Sequence, residues 1–154
     1  MFAAPERAKM LKTLFTKGAL PELNAAASFA AQRHKLIINN LANIDTPFYT
    51  AQDLPVEEFN KMLGDAIRKR ETGNPHLFEL RPTQMIGLSK TGMPRPIPVT
   101  SDTIGQLRHD VGTVDVDMES AKLAQNAMRH NGLLQLVAHQ YGLIEDAIVG
   151  RPRA

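Results

Sequence analysis

The apolar residues of this chain are most regularly spaced near its two ends. In residues 20–43, and again in residues 115–149, positions suited to burial recur at alternating intervals of four and three. This spacing places them on one face of an α-helix and is typical of the seam between two coiled helices. The first seam consists of Leu23, Ala27, Ala30, His34, Ile37 and Leu41. The second consists of Val116, Ser120, Leu123, Ala127, His130, Leu134, Val137, Tyr141, Ile144 and Ile148.

Residues that start or end helices bound both of these segments. Pro47 disfavours helical backbone angles at Thr46, so the first helix has to end before this point. Asp115 is suited to cap the start of the second helix, and Gly150 and Pro152 would end it. We therefore predict two long terminal helices that pair as an antiparallel coiled coil.

Two shorter segments also show helical periodicity. Residues 55–69 are predicted to form an amphipathic helix that begins at Pro55 and buries Phe59, Met62, Leu63, Ala66 and Ile67. Residues 5–17 are predicted to form either a short helix or a frayed tail. The apolar stripe of that short helix would be Met10, Leu11, Leu14 and Phe15.

The middle of the chain, residues 71–113, has too many Pro and Gly residues for a long helix. We predict an extended segment with short strands at most around residues 97–100, partly disordered in the free subunit and laid over neighbouring subunits. The fold class is therefore mainly α. The predicted organisation is an N-terminal extension at 1–18 and a single domain at 19–154.

Composition changes this picture little. The 154 residues suffice for one domain, and aromatic residues make up only 5%, which suits thin helical packing. A net charge of +2 is too small to indicate a nucleic-acid partner by itself. The absence of Cys excludes disulfides and thiolate metal sites. No apolar stretch approaches the roughly 18 residues needed for a membrane span.

The sequence contains none of the catalytic or metal-binding motifs considered below. The five His residues form no HExxH pair, and we interpret His34 and His130 as polar residues that set the register of the seams. The residues that start at Asp115 do not match a calcium-binding loop, because Ser120 stands where the loop requires Gly and Asn126 stands where it requires an acidic ligand. We predict no enzyme activity, no cofactor and no metal. A cytosolic helical adaptor or a DNA-associated bundle remains the alternative to a structural subunit.

Two motifs resemble the flagellar rod and hook protein family. Residues 39–49 are similar to the family segment that ends its N-terminal helix, N-x-A-N-x-x-T-P-x-Y. The matching residues are Asn40, Ala42, Asn43, Thr46, Pro47 and Tyr49, and Phe48 stands where rod proteins often have Gly. Residues 112–119, followed by Leu123 and Asn126, resemble the start of the C-terminal helix of the proximal rod protein of that family.

The resemblance implies a structural subunit of the proximal rod of a bacterial flagellar basal body. It implies export through the flagellar type III apparatus without a cleavable signal peptide, followed by assembly in the periplasm. The implied partners are further copies of the chain, other rod proteins, and the MS-ring and export-gate side of the basal body. Nucleic acid is not an implied partner. The assembled rod would be a helical shaft that transmits torque and supports motility.

Apolar residues off the second seam predict that one partner helix is not enough. They are Met118, Met128, Leu133, Leu136, Leu143 and Val149, and neighbouring subunits would cover them. We expect Asn40 and Asn43 to satisfy backbone groups where the first helix ends. The predicted subunit-packing residues are Leu23, Ala27, Ala30, Ile37, Leu41, Leu123, Ala127, His130, Leu134, Val137, Tyr141, Ile144 and Ile148.

Overall fold

A computed structural model of the chain describes residues 18–73, 78–101 and 115–150. These residues form three helices, α1 (Leu20–Ala42), α2 (Val56–Thr72) and α3 (Val116–Val149). Four short strands lie between the helices, β1 (Gln52–Asp53), β2 (Ile86–Leu88), β3 (Pro94–Pro96) and β4 (Val99–Thr100). The prediction of a mainly α chain with long terminal helices is confirmed. The predicted helix at 5–17 and two parts of the predicted extended segment, 74–77 and 102–113, lie outside the described residues.

Helices α1 and α3 lie side by side and run in opposite directions. The Asn126 side chain donates a hydrogen bond of 2.9 Å to the carbonyl oxygen of Ala30. The Asn40 side chain donates one of 2.9 Å to Glu119. Because the earlier residue of α1 faces the later residue of α3, the two helices are antiparallel. Their winding as a coiled coil stays a prediction.

Helix α2 packs on a second side of α1. The rings of Phe29 and Phe59 stack with their centres 4.0 Å apart and their planes at 7°. Near the start of α1 and the end of α2, Arg70 forms an ion pair with Glu22. Arg70 also donates a hydrogen bond of 2.7 Å to the carbonyl oxygen of Gly18. The buried residues that join the two helices to the middle segment are Ala25, Ala26, Phe29, Leu54, Phe59, Met62, Ala66, Leu80 and Ile86.

The ends of the helices differ from the predicted bounds by zero to three residues. At the start of α3, the Asp115 carboxylate accepts hydrogen bonds of 2.9 and 3.3 Å from the backbone N–H groups of Asp117 and Met118. The predicted helix at 55–69 was too short, because α2 continues to Thr72 before it ends at Gly73. Residues 71 and 72 therefore belong to a helix and not to the extended segment.

The middle segment contains more regular structure than its Pro and Gly content predicted. Strands β2 and β3 pair as an antiparallel hairpin with Ile86 opposite Pro96, and β1 pairs with β4 with Gln52 opposite Thr100. The hairpin packs on its own subunit, because Ile86 is fully buried and Gln32 of α1 donates a hydrogen bond of 2.9 Å to the carbonyl oxygen of Pro94. Residues 78–101 thus contain two paired strands and parts of a second pair, where the sequence analysis expected strands only around residues 97–100.

Candidate functional site

Asn40, in the last turn of α1, uses its whole hydrogen-bonding capacity inside the protein. Its side-chain nitrogen donates to the carbonyl oxygen of Gln52 at 2.7 Å and to Glu119 at 2.9 Å. Its side-chain oxygen accepts from the hydroxyl of Tyr49 at 3.0 Å and from the backbone N–H of Gln52 at 3.1 Å. A primary amide has two N–H donors and one oxygen with two lone pairs, so all four positions are occupied. Asn40 is fully buried, which makes these contacts costly to lose.

Glu119 extends this arrangement, which we name the Asn40 network, into α3. Glu119 is 1% exposed, and its second oxygen accepts a hydrogen bond of 2.7 Å from Lys122. Lys122 in turn donates to the Ser101 hydroxyl at 3.0 Å, next to strand β4. Burial, and secondly the negative charge of Glu119, raises the pKa of the Tyr49 hydroxyl. The Asn40 network therefore joins the end of α1, the motif turn, the strand pair β1–β4 and the start of α3.

Asn43 and Thr46 shape the turn that follows α1. The Asn43 side chain donates a hydrogen bond of 2.8 Å to the carbonyl oxygen of Asn39, which satisfies one of the acceptors at the helix end. The Thr46 N–H donates to the carbonyl oxygen of Asn43 at 3.0 Å, and the Tyr49 N–H donates to that of Thr46 at 3.2 Å. These short bonds bring Tyr49 back towards Asn40, while Pro47 stays exposed.

Phe48 occupies a backbone conformation that favours glycine. Its φ is +62°, and among the described residues it is the one residue other than Gly with a positive φ. Its side chain is 79% exposed, so no packing inside the subunit compensates for the strain. The turn of this chain thus keeps the backbone geometry suited to the glycine that rod proteins often have here.

Replacing Phe48 with Gly is expected to stabilise the folded chain by about 0.5–1 kcal/mol. Glycine removes a left-handed strain of about 1–2 kcal/mol, and the greater freedom of the unfolded chain opposes part of that gain. The measurement is urea unfolding followed by circular dichroism. Phe48→Ala is the control, because Ala keeps the Cβ atom and should not gain stability. An equal gain for both variants would show that the aromatic ring, and not the backbone, is the source of the effect.

The predicted seam residues occupy one side of each helix but differ in exposure. On α1, Ala27, Ala30 and Ile37 are buried, whereas Leu23, His34 and Leu41 are half-buried. On α3, the half-buried residues are Leu123, Ala127, His130, Val137 and Ile144. The remaining predicted residues of α3 are exposed, namely Leu134, Tyr141 and Ile148.

The start of the second seam was assigned wrongly in the sequence analysis. Val116 and Ser120 are exposed, and the buried positions nearby are Glu119 at 1% and Asn126 at 3% exposure. Glu119, Leu123, Asn126 and His130 keep the alternating spacing of four and three, so the signal was present in the sequence. It was missed because a carboxylate and an amide do not count as apolar. Buried polar residues at such positions commonly fix helix register.

No cluster of three or more His, Cys, Asp or Glu residues suited to a metal ion occurs within 18–73, 78–101 and 115–150. In that same part of the chain, no helix is long and apolar enough to cross a membrane.

Sequence similarity to proteins with known roles is the remaining evidence on what the chain does. No protein-family model matches the chain. The flagellar basal body rod protein FlgB of Bacillus subtilis is 27% identical over 133 residues, which cover 86% of this chain and 95% of the relative. FlgB of Yersinia enterocolitica is 28% identical over 124 residues, 80% of this chain and 88% of that relative. FlgB of Salmonella typhimurium is 28% identical over 116 residues, 75% of this chain and 81% of that relative.

The chain is similar to the flagellar rod protein FlgB.

This FlgB-like character spans most of the chain and is not confined to the two motifs. The predicted resemblance to flagellar rod proteins is confirmed, including the closeness to the proximal rod protein. Rod proteins are a structural class and not an enzyme class, so the relatives also support a non-enzymatic role. A flagellar basal body is the setting that the FlgB-like sequence supports.

Proposed function

We propose that this chain is a subunit of the proximal rod, which self-assembles through its terminal helices into a helical shaft that transmits torque. The observation that carries the proposal is the exposure of large apolar side chains on α3. Met128 is 71% exposed, Leu136 53%, Leu143 50% and Val149 59%. Exposed apolar groups concentrated on one helix mark a surface for association with other proteins.

The exposed apolar residues of α3 lie on more than one side of the helix. Successive residues of an α-helix are rotated by about 100° around the helix axis. Met128 and Leu136 therefore lie on a different side of α3 from Leu134. A single dimer contact would cover one side and leave another exposed. Contacts on several sides generate open helical assemblies, which a rod requires.

The end of the molecule that carries the Asn40 network also exposes apolar residues. Besides Phe48, Ile38 of α1 is 46% exposed and Ile97, between β3 and β4, is 57% exposed. We assign this end to contacts with a neighbouring subunit. The Asn40 network would hold the motif turn rigid, so that a load on the exposed residues passes into both long helices.

The partners and location follow from this assignment. The chain would contact copies of itself and other rod proteins, with the MS-ring and export-gate side at one end of the shaft. It would reach the periplasm through the flagellar type III apparatus. The FlgB relatives support the basal-body setting of this proposal.

Replacing Leu134 with Asp is expected to reduce assembled rods at least tenfold while leaving the subunit folded and exported. Leu134 is 46% exposed, so the new charge costs little in the free subunit but would be buried in an assembly. Rods are counted by electron microscopy, exported subunit is measured by immunoblotting, and motility is scored in soft agar.

The matched control is Gln135→Asp, which introduces the same charge at the adjacent exposed residue of α3. It is expected to leave more rods than Leu134→Asp does. Normal motility with Leu134→Asp would contradict the assignment of this residue to a subunit contact.

A further inference from the structure

Phe48 presents an aromatic ring to solvent in the turn that follows α1. It is 79% exposed, and its φ of +62° is a backbone conformation that is unfavourable for any residue with a Cβ atom. The turn is fixed before this residue, because the Thr46 N–H donates to the carbonyl oxygen of Asn43 at 3.0 Å. It is also fixed after it, because the Tyr49 hydroxyl donates to the Asn40 side-chain oxygen at 3.0 Å. A strained residue with an exposed ring on a fixed backbone is suited to a contact outside its own subunit.

A groove of about 490 Å³ lies between α1 and the segment that contains β3. Its least exposed lining residues are Leu54, which is part of the buried core, and Leu36, which packs against that core. The other apolar residues that line it are Ile38, Ala42, Pro96 and Pro98. Pockets of about 300–1,000 Å³ with mainly apolar walls are the usual sites for small organic groups, and an aromatic ring is such a group.

The surroundings of the ring and of the groove carry opposite charges. Asp45 precedes Phe48 by three residues, and Lys35 lines the groove. Both charged residues are exposed, and neither forms an ion pair with another residue in 18–73, 78–101 or 115–150. Three residues span at most about 11 Å, so Asp45 can reach Lys35 while the ring lies in the groove. Such a surface pair adds little affinity, but it orients the two partners.

We propose that Phe48 of one copy inserts into this groove of a second copy, with Asp45 of the first copy beside Lys35 of the second. Phe48 does not line the groove of its own chain, so the ring and the groove are two different surfaces. Each copy therefore keeps a groove for a further copy, and repeated contacts of this head-to-tail kind build rings or open helical assemblies. The inference rests on the proposed function, because it names one of the surfaces through which the subunits would assemble.

Disulfide trapping between two chains tests the contact, because the natural chain has no Cys. Full-length chains with Asp45→Cys are mixed with chains carrying Lys35→Cys and oxidised mildly, and the products are distinguished by mass. Random collisions would give about as much mixed dimer as the two dimers of identical chains together. We expect the mixed dimer to exceed both of these at least about tenfold, because the contact raises the effective concentration of the two thiols.

Adding Phe48→Gly to the Asp45→Cys chain is the matched control. Gly adopts the positive φ without strain, so the folded chain keeps its turn while the groove loses its occupant. The excess of mixed dimer is expected to disappear. Glu145→Cys, at an exposed acidic residue of α3, replaces Asp45→Cys as a second control and should give no excess. The proposal would be overturned by an excess that survives Phe48→Gly, or by no excess with the original pair.

The charge pair has a separate test in cells. Asp45→Lys and Lys35→Asp each place like charges across the contact, so each is expected to reduce assembled rods several-fold, and the double variant to restore them. Unchanged rods in both single variants, or a double variant as defective as they are, would overturn the pairing. If Leu134→Asp abolishes rods while the two Cys chains give no excess of mixed dimer, the proposed function stands and only the Phe48 contact fails.

Discussion

Replacing Asn40 with Ala is expected to destabilise the folded chain by about 3–5 kcal/mol, which is a large part of the stability of a domain of this size. The substitution removes all four hydrogen bonds of a fully buried side chain. It leaves the backbone N–H and carbonyl of Gln52 without these partners, and the buried carboxylate of Glu119 loses one of its hydrogen bonds. Each unsatisfied buried group costs about 1–3 kcal/mol, and charged groups cost more.

The measurement for this prediction is urea unfolding at neutral pH, with Asn39→Ala as the control. Asn39 is the preceding residue of the same helix, but it is exposed, so its change is expected to stay within about 0.5 kcal/mol. The comparison cancels the general effect of introducing Ala into a helix. Similar unfolding midpoints for the two variants would mean that the Asn40 network contributes no net stability.

Replacing Phe59 with Ala is expected to cost about 3–5 kcal/mol, the usual range for removing a buried aromatic ring. Phe59 is 1% exposed and stacks on Phe29, the contact that holds α2 against α1. The surrounding residues come from both helices and from the β2 strand, so the cavity cannot close without moving whole elements.

Phe48→Ala is the matched control for this second prediction. It removes the same ring from an exposed position and leaves the backbone strain unchanged, so its effect is expected to be below about 0.5 kcal/mol. Thermal unfolding followed by circular dichroism gives the two values. A small effect for Phe59→Ala would show that α2 is not packed on α1 through this stack.

The long helices could be predicted from the sequence because their signals are local. Asp115 at the start of α3 and Gly150 at its end are capping residues with known geometry, and the observed helix begins and ends beside them. The seam spacing likewise identified the side of α1 that contains Ala30 and Ile37. Local backbone chemistry therefore sufficed for the bounds of the two long helices.

The β2–β3 hairpin could not be predicted in the same way. Pro94 and Pro96 argue against a strand by their own propensity, because proline cannot donate a backbone hydrogen bond. The hairpin is stabilised instead by the burial of Ile86 and by the hydrogen bond from Gln32, a residue more than 60 positions away from Pro94. Such tertiary contacts override local propensity and leave no periodic pattern in the sequence.

Only part of the Asn40 network could be predicted from the sequence. The motif identified Asn40 and Tyr49, but nothing in its spacing indicated that Glu119 would be buried against Asn40 from 79 residues away. A Glu in the first turn of a helix is ordinarily explained by the helix dipole and an exposed surface. The spacing from Glu119 to Leu123 and Asn126 marks its position on the seam of α3, but the sequence of α3 alone does not specify Asn40 as its partner.

The measurement that tests the account most directly is the location of the chain in the cell that encodes it. Basal bodies can be purified after hook and filament are removed, and the chain quantified by mass spectrometry beside other rod subunits. The account predicts that the chain remains with the basal body in a fixed ratio to those subunits. Absence from purified basal bodies, with recovery of the chain as a cytosolic monomer, would contradict it.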